Sequence, residues 1–125
     1  LDVGYVDDDT LVALYRGASV TCVASGHEGF GLPVIEAMAC GSPVVCVSGT
    51  ALDEAAGGAA VTVAPDNASG LRDSLHRVLT DPAEAARLRS AGFARVRPLS
   101  WAKAAEAVRE ELAAAVALRS RRSAH

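Results

Sequence analysis

Short apolar runs separated by polar and glycine-rich turns recur through the first half of the chain, and helical spacing of apolar residues takes over in the second half. Residues 3–6, 20–24, 44–47 and 60–64 each form a run of strand length, and Pro43-Val-Val-Cys-Val47 carries no polar position at all. Such a run suits a parallel strand covered on both faces, because neither side meets water. Between these runs, residues 8–17 and 33–39 read as helices and residues 48–50 as a polar loop. Beyond Pro65, Asp66, Asn67 and Ser69 offer caps for a helix carrying Leu71, Leu75, Val78 and Leu79. Asp81-Pro82 opens another that holds Leu88, and Ser100 caps a last one bearing Trp101, Ala105, Val108, Leu112 and Val116. The pattern predicts an α/β class, a Rossmann-like parallel sheet of about four strands with a helical C-terminal extension.

In a parallel sheet with right-handed crossovers, the loops that follow the strands gather on one edge, and ligands settle there. The loop at residues 25–32 leaves one strand directly, and the loop at 48–50 leaves the next. The first loop contains Glu28-Gly-Phe-Gly-Leu-Pro-Val-Ile-Glu36, two carboxylates on either side of a glycine turn and a proline. Gly29 and Gly31 lack a Cβ, so the backbone there can take positive φ and approach a ligand closely. Pro33 suits a helix start, where its missing N–H would have been an orphan donor, and the free amides beside it form an anion site backed by the helix dipole. Glu36 has two readings. It stabilises the helix start by about 0.3 to 1 kcal/mol, or it accepts hydrogen bonds from neutral hydroxyls such as a diol. Glu28 projects from the loop and not from the helix, so the two carboxylates serve different parts of one ligand.

Composition narrows the partners. The net charge is −3 with both signs mixed along the chain, which leaves no electrostatic footprint for nucleic acid. The terminal Arg119-Ser-Arg-Arg122 cluster offers contact with an anionic membrane surface or an acidic partner, but a frayed tail over residues 119–125 is the commoner explanation of such a cluster. No apolar run approaches the roughly 20 residues needed to span a bilayer and no charged-then-apolar leader opens the chain, so a cytoplasmic domain is expected. Cys22, Cys40 and Cys46 form no Cys-x-x-Cys pair and sit among Val, Ala and Gly, the pattern of reduced, buried thiols. His27, His76 and His125 do not fall at ligand spacing with them, so no metal is expected. His27 in the loop reads as a solvated or packing residue, Phe30 as a wedge buried under the glycine turn, and Tyr15 as core or half-exposed. Trp101 is expected to pack the last helix against the domain.

Ser25-x-x-Glu28-Gly-Phe-Gly-Leu-Pro-x-x-Glu36-Ala-Met-Ala-x-Gly41-x-Pro43-Val-Val resembles the C-terminal half of a family 4 retaining glycosyltransferase of the GT-B fold, Glu-x7-Glu signature included. Gly4-Tyr5-Val6 with Asp8, Leu11, Leu14, Tyr15 and Ala18 is similar to the family's upstream strand and helix, and Pro98-Leu-Ser-Trp101 to the start of its last helix. The resemblance implies a partial GT-B C-terminal domain over residues 1–118 that binds a nucleoside diphosphate sugar. The acceptor domain, the first strands of the donor domain and the basic residues that clasp the diphosphate would then lie upstream of Leu1. Mean hydropathy of +0.23 fits a surface covered in a longer polypeptide, and fits an alanine-rich chain equally.

By the same resemblance, the sugar moves to a hydroxyl acceptor with retention. Glu28 would be the catalytic carboxylate, orienting the sugar and steadying positive charge at the anomeric centre without acting as a covalent nucleophile. Gly29, Phe30, Gly31 and Leu32 would surround the donor, with amides at Gly31, Leu32 and the helix start on the diphosphate. Glu36 would take the ribose, and Thr50 a nucleotide contact. Asp53 stands where a proline is common in the family before Glu54. No cofactor or metal is implied, and the chain alone is expected to be inactive and to bind donor weakly, if at all. A GT-B-type nucleotide-sugar epimerase and a non-catalytic binding or assembly module remain open alternatives.

Overall fold

A computed structural model of the chain describes residues 2–26 and 28–122. The elements run α1 (Asp8–Gly17), β1 (Thr21–Val23), α2 (Leu32–Ala39), β2 (Val44–Val47), α3 (Ala51–Ala56), β3 (Val61–Val63), α4 (Ala68–Thr80), α5 (Pro82–Val96) and α6 (Trp101–Arg122). Most helices start where a side chain satisfies amides that the helix leaves without partners. Asp7 accepts from the Thr10 amide at 2.8 Å, Asn67 from Gly70 at 2.9 Å, and Asp81 from Ala83 and Glu84 at 2.9 and 3.2 Å. Ser100 accepts from Lys103 at 3.2 Å.

The strands form a parallel sheet in the order β1-β2-β3, with Thr21 opposite Val44 and Cys46 opposite Thr62. Alternation along β2 divides the core into two layers. Val44 and Cys46 join Val34, Ala37 and Met38 of α2 and Leu52, Ala55 and Ala56 of α3. Val45 points the other way, to Val63, to Val78 of α4, and to Ala85 and Leu88 of α5. Gly92 lets α5 run close over α2, since a Cβ there would lie 3.1 Å from Met38 Cγ. Ser42, the one buried polar side chain among the described residues, shares a 2.7 Å hydrogen bond with the Thr21 hydroxyl.

The class matches the α/β expectation, with differences in detail. The sheet has three strands among the described residues, not about four. Residues 3–6 form no strand because the local chain chemistry favours a turn: Asp2 takes the Gly4 amide at 2.9 Å and Gly4 sits at φ +61°, outside the β region. Val3 and Tyr5 are accordingly exposed. α3 lies between the 48–50 loop and the 60–64 run, where the sequence pattern assigns no element. Only Cys46 is a buried thiol; Cys40 is half-buried and Cys22 exposed. Trp101 does not pack the last helix down, being 84% exposed, and every described side chain of α6 is exposed with it. α6 also continues through Arg122, four residues into the stretch read as a frayed tail. Residues 123–125 lie outside the described residues. No described helix is long and apolar enough to cross a membrane.

Candidate functional site

Because β1 and β2 are parallel neighbours, the loops that leave them emerge on the same sheet edge. They enclose an open cleft of about 370 Å3 lined by Gly26, Glu28 and Gly29 from the first loop and Gly49, Thr50 and Ala51 from the second. Glu28 is half-buried, and its Oε1 accepts a 2.7 Å hydrogen bond from the Ser25 hydroxyl. That contact holds one carboxylate oxygen and leaves the other with its acceptor capacity.

The two glycines of the turn do different work. Gly29 is exposed, and nothing lies within 4 Å of the place a Cβ would occupy, so its backbone is open to a ligand. Gly31 is buried at φ +81°, and a Cβ there would lie 2.9 Å from Ala55 Cβ and 3.2 Å from the Ala51 carbonyl oxygen. It is the N-cap of α2 and the point where the first loop presses on α3. The helix begins one residue before Pro33, at Leu32, which keeps the proline in the first turn, where its missing donor costs nothing.

α3 is anchored at both ends. Thr50 Oγ1 caps it by accepting from the Leu52 amide at 3.2 Å and donates to the Val47 carbonyl at 3.3 Å. Asp53 accepts from the Gly49 amide at 3.4 Å. At the far end Arg95 of α5 donates from Nε to the Ala55 carbonyl at 2.9 Å and from a terminal nitrogen to the Glu54 carbonyl at 3.1 Å. These bonds satisfy carbonyls that a six-residue helix would otherwise leave to water. Cys46, beneath α3, has its thiol pushed up to about 11 by burial, with smaller contributions from the Asp53 and Cys22 charges.

The structure thus brings Glu28, Gly29 and Thr50 of the sequence-read set into one cleft, with Gly31 packed behind it. Phe30, Leu32 and Glu36 are outside its lining. Phe30 is no buried wedge: it is 65% exposed, because Gly31 itself fills the space against α3. Glu36 is exposed on α2, where its Oε2 accepts from the Tyr15 hydroxyl of α1 at 3.3 Å. Burial raises the Tyr15 hydroxyl above its ordinary value, and the charge and hydrogen bond of Glu36 add to the rise. His27 lies outside the described residues. Gly26, Gly49 and Ala51 were not singled out from sequence. Thr50, Asp53, Glu54 and Gly57 together spell a capped, acid-started, glycine-ended helix, and that signal would have placed α3 and with it the second wall.

The family model for glycosyl transferases group 1 matches residues 3–95. O-antigen chain mannosyltransferase B of Escherichia coli is 36% identical over 99 residues, an alignment covering 79% of this chain and 26% of that protein. A D-inositol 3-phosphate glycosyltransferase of Streptomyces bingchenggensis is 37% identical over 120 residues, covering 94% and 26%. Among solved structures, sucrose-phosphate synthase of Thermosynechococcus elongatus superposes with a TM-score of 0.77 at 35% identity, over 90% of this chain and 30% of that one. The chain belongs to the glycosyl transferases group 1 family, and its parallel sheet and helices match glycosyltransferases of the GT-B type. It spans about a quarter of the length of these two relatives, and 12% of the mannosyltransferases WbdA of Escherichia coli that it also matches.

Proposed function

We propose that this chain is the donor-binding part, within the C-terminal half, of a family 4 retaining glycosyltransferase that moves a sugar from a nucleoside diphosphate sugar to a hydroxyl acceptor. The observation that carries the reading is the cleft, in which a half-buried carboxylate and open glycine backbone from one strand-end loop face the loop of the next strand. Relatives whose names describe sugar transfer support it.

On this reading the amides of Gly31, Leu32 and the α2 start receive the diphosphate, whose negative charge grows as the leaving group departs. Preorganised donors of that kind bind the transition state better than the ground state. Glu28, held by Ser25, orients the sugar and steadies positive charge at the anomeric centre. Glu36 takes the ribose hydroxyls, and Phe30 and Leu32 flank the donor. Thr50 serves chiefly by holding α3, since its hydroxyl already donates to Val47 and accepts from Leu52. The acceptor domain and the basic residues that clasp the diphosphate belong to the remainder of a longer cytoplasmic polypeptide, and the reading calls on no metal or cofactor. The chain alone then binds donor weakly and transfers nothing.

Ligand-observed NMR against UDP, GDP and ADP sugars at millimolar concentration tests this. Saturable binding of one nucleotide class, weakened by Glu36→Ala, is expected. Equal signals from all ligands, unchanged in the variant, would mean non-specific contact and overturn the reading. A measurable transferase rate from the chain alone would overturn the division of labour.

A further inference from the structure

Glu36 sits exposed on α2, where a free glutamate side chain samples many rotamers, yet it has one fixed neighbour. The Tyr15 ring is partly buried against the core cluster formed by α2, β2 and α3, so its hydroxyl is delivered to a defined place. From there it donates to Glu36 Oε2 at 3.3 Å across 21 residues of sequence. We propose that Tyr15 is a positioning residue that aims the Glu36 carboxylate, making this phenol on α1 a determinant of selectivity for a ribose over a deoxyribose nucleotide. The inference rests on the reading that Glu36 receives the ribose hydroxyls.

The chemistry is consistent in hydrogen-bond capacity. An ionised carboxylate offers about four lone-pair sites and no donor. The phenol occupies one of them, which leaves room for both hydroxyls of a vicinal diol. A phenol can donate only while protonated, and its burial together with the Glu36 charge favours the protonated form. Removing the hydroxyl leaves the ring and its packing in place, but frees the carboxylate to turn away from the diol. The loss should therefore appear in recognition of the sugar hydroxyl and not in the diphosphate contacts.

The test is a matrix of nucleotides and variants on the whole chain. The dissociation constant of the preferred nucleoside diphosphate and of its 2′-deoxy counterpart is measured by NMR titration for the native chain, Tyr15→Phe and Glu36→Gln. The native chain should favour the ribose form by about tenfold, the size of one hydrogen bond to a charged group. Tyr15→Phe should cut that preference at least threefold, with affinity for the deoxy form nearly unchanged, and Glu36→Gln should cut it as well. A preference that falls in Glu36→Gln and stays whole in Tyr15→Phe overturns the role of Tyr15 and leaves the donor reading standing. No preference in the native chain, or no nucleotide binding at all, overturns both. A merely structural tyrosine would lower both affinities together, so a parallel loss also counts against the inference. Incorporating 3-fluorotyrosine at position 15, which retains the hydroxyl, should preserve the preference if Tyr15→Phe folds poorly.

Discussion

The segment from α2 through α3 and the helix α6 are both rich in alanine and aliphatic residues, yet they end in opposite environments. Val34, Ala37 and Met38, then Val44, Val45 and Cys46, then Leu52 and Ala56 are at most 1% exposed. In α6, Trp101, Val108, Leu112 and Val116 are all more than half exposed. Composition therefore does not decide burial. What differs is the company each segment keeps: α2 and α3 have a sheet to cover and the glycines Gly31 and Gly92 to let neighbours approach. α6 stands on helix propensity, with alanine the strongest helix former and the Glu106 and Arg109 ion pair one turn apart. The family match stops at residue 95, before α6 begins.

The sharpest way to break this contrast is to make equivalent cuts on both sides of it. Met38→Ala or Leu52→Ala should cost about 2 to 5 kcal/mol through lost burial and a residual cavity. Leu112→Ala should stay within about 0.5 kcal/mol. Urea denaturation of the three variants reads the difference directly, and a similar loss at Leu112 would mean that α6 is packed in solution.

Next in size is Gly31→Ala. A left-handed conformation costs an ordinary residue about 1 to 2 kcal/mol, and the added Cβ would also press on Ala55 and the Ala51 carbonyl. A loss of roughly 2 kcal/mol or more is expected from strain and overpacking together. Gly29→Ala has open space and should leave the melting temperature almost unchanged, so its effect should fall on ligand binding.

Arg95→Ala should be milder, near 1 kcal/mol by the usual net worth of hydrogen bonds. Its mark is local: amide hydrogen exchange should quicken across α3 while β2 and β3 stay protected. Arg95→Lys should recover part of the protection, because an ammonium can still donate to one of the two carbonyls.

Two further expectations concern titrating groups. Cys46, with its thiol near 11 and its side chain buried, should resist a thiol reagent at pH 8 until the chain unfolds, while exposed Cys22 reacts in the folded state. The Asp7 carboxyl is held below its ordinary value by its hydrogen bonds with Thr10. A depressed folded value means that its contribution is complete above the unfolded value and lost as pH falls through the folded one. Fraying of α1, followed by amide exchange at Thr10 and Leu11, should therefore appear only at acid pH and not between pH 5 and 8.

The fold was legible wherever local chemistry and tertiary context agree. β2 was read at its full extent because Val44-Val-Cys-Val47 has no polar position to place in water, and the 8–17 helix agrees with α1, which the Asp7 side chain caps. The candidate loop was legible for a similar reason: glycines, a proline and a carboxylate after a strand carry their geometry with them. Residues 3–6 show the limit, since a strand needs a neighbour and these residues find none among those described. α3 escaped because six residues hold too few apolar positions to show a period, although Thr50 and Gly57 mark its ends. The Tyr15 and Glu36 contact was invisible for a different reason. It joins α1 directly to α2, whose packing brings the two side chains together, and no spacing along the chain encodes it.

If the two strand-end loops form a donor site, titrating the labelled chain with a nucleoside diphosphate sugar will reveal it in the amide chemical shifts. The amides of Gly31 and Leu32, assigned to the diphosphate, and of Gly26, Gly29, Gly49, Thr50 and Ala51 in the cleft should move together along one saturable curve, with α4 and α6 silent. Saturable shifts centred elsewhere, or none in these amides for any UDP, GDP or ADP sugar, would rule out a donor site between the two loops.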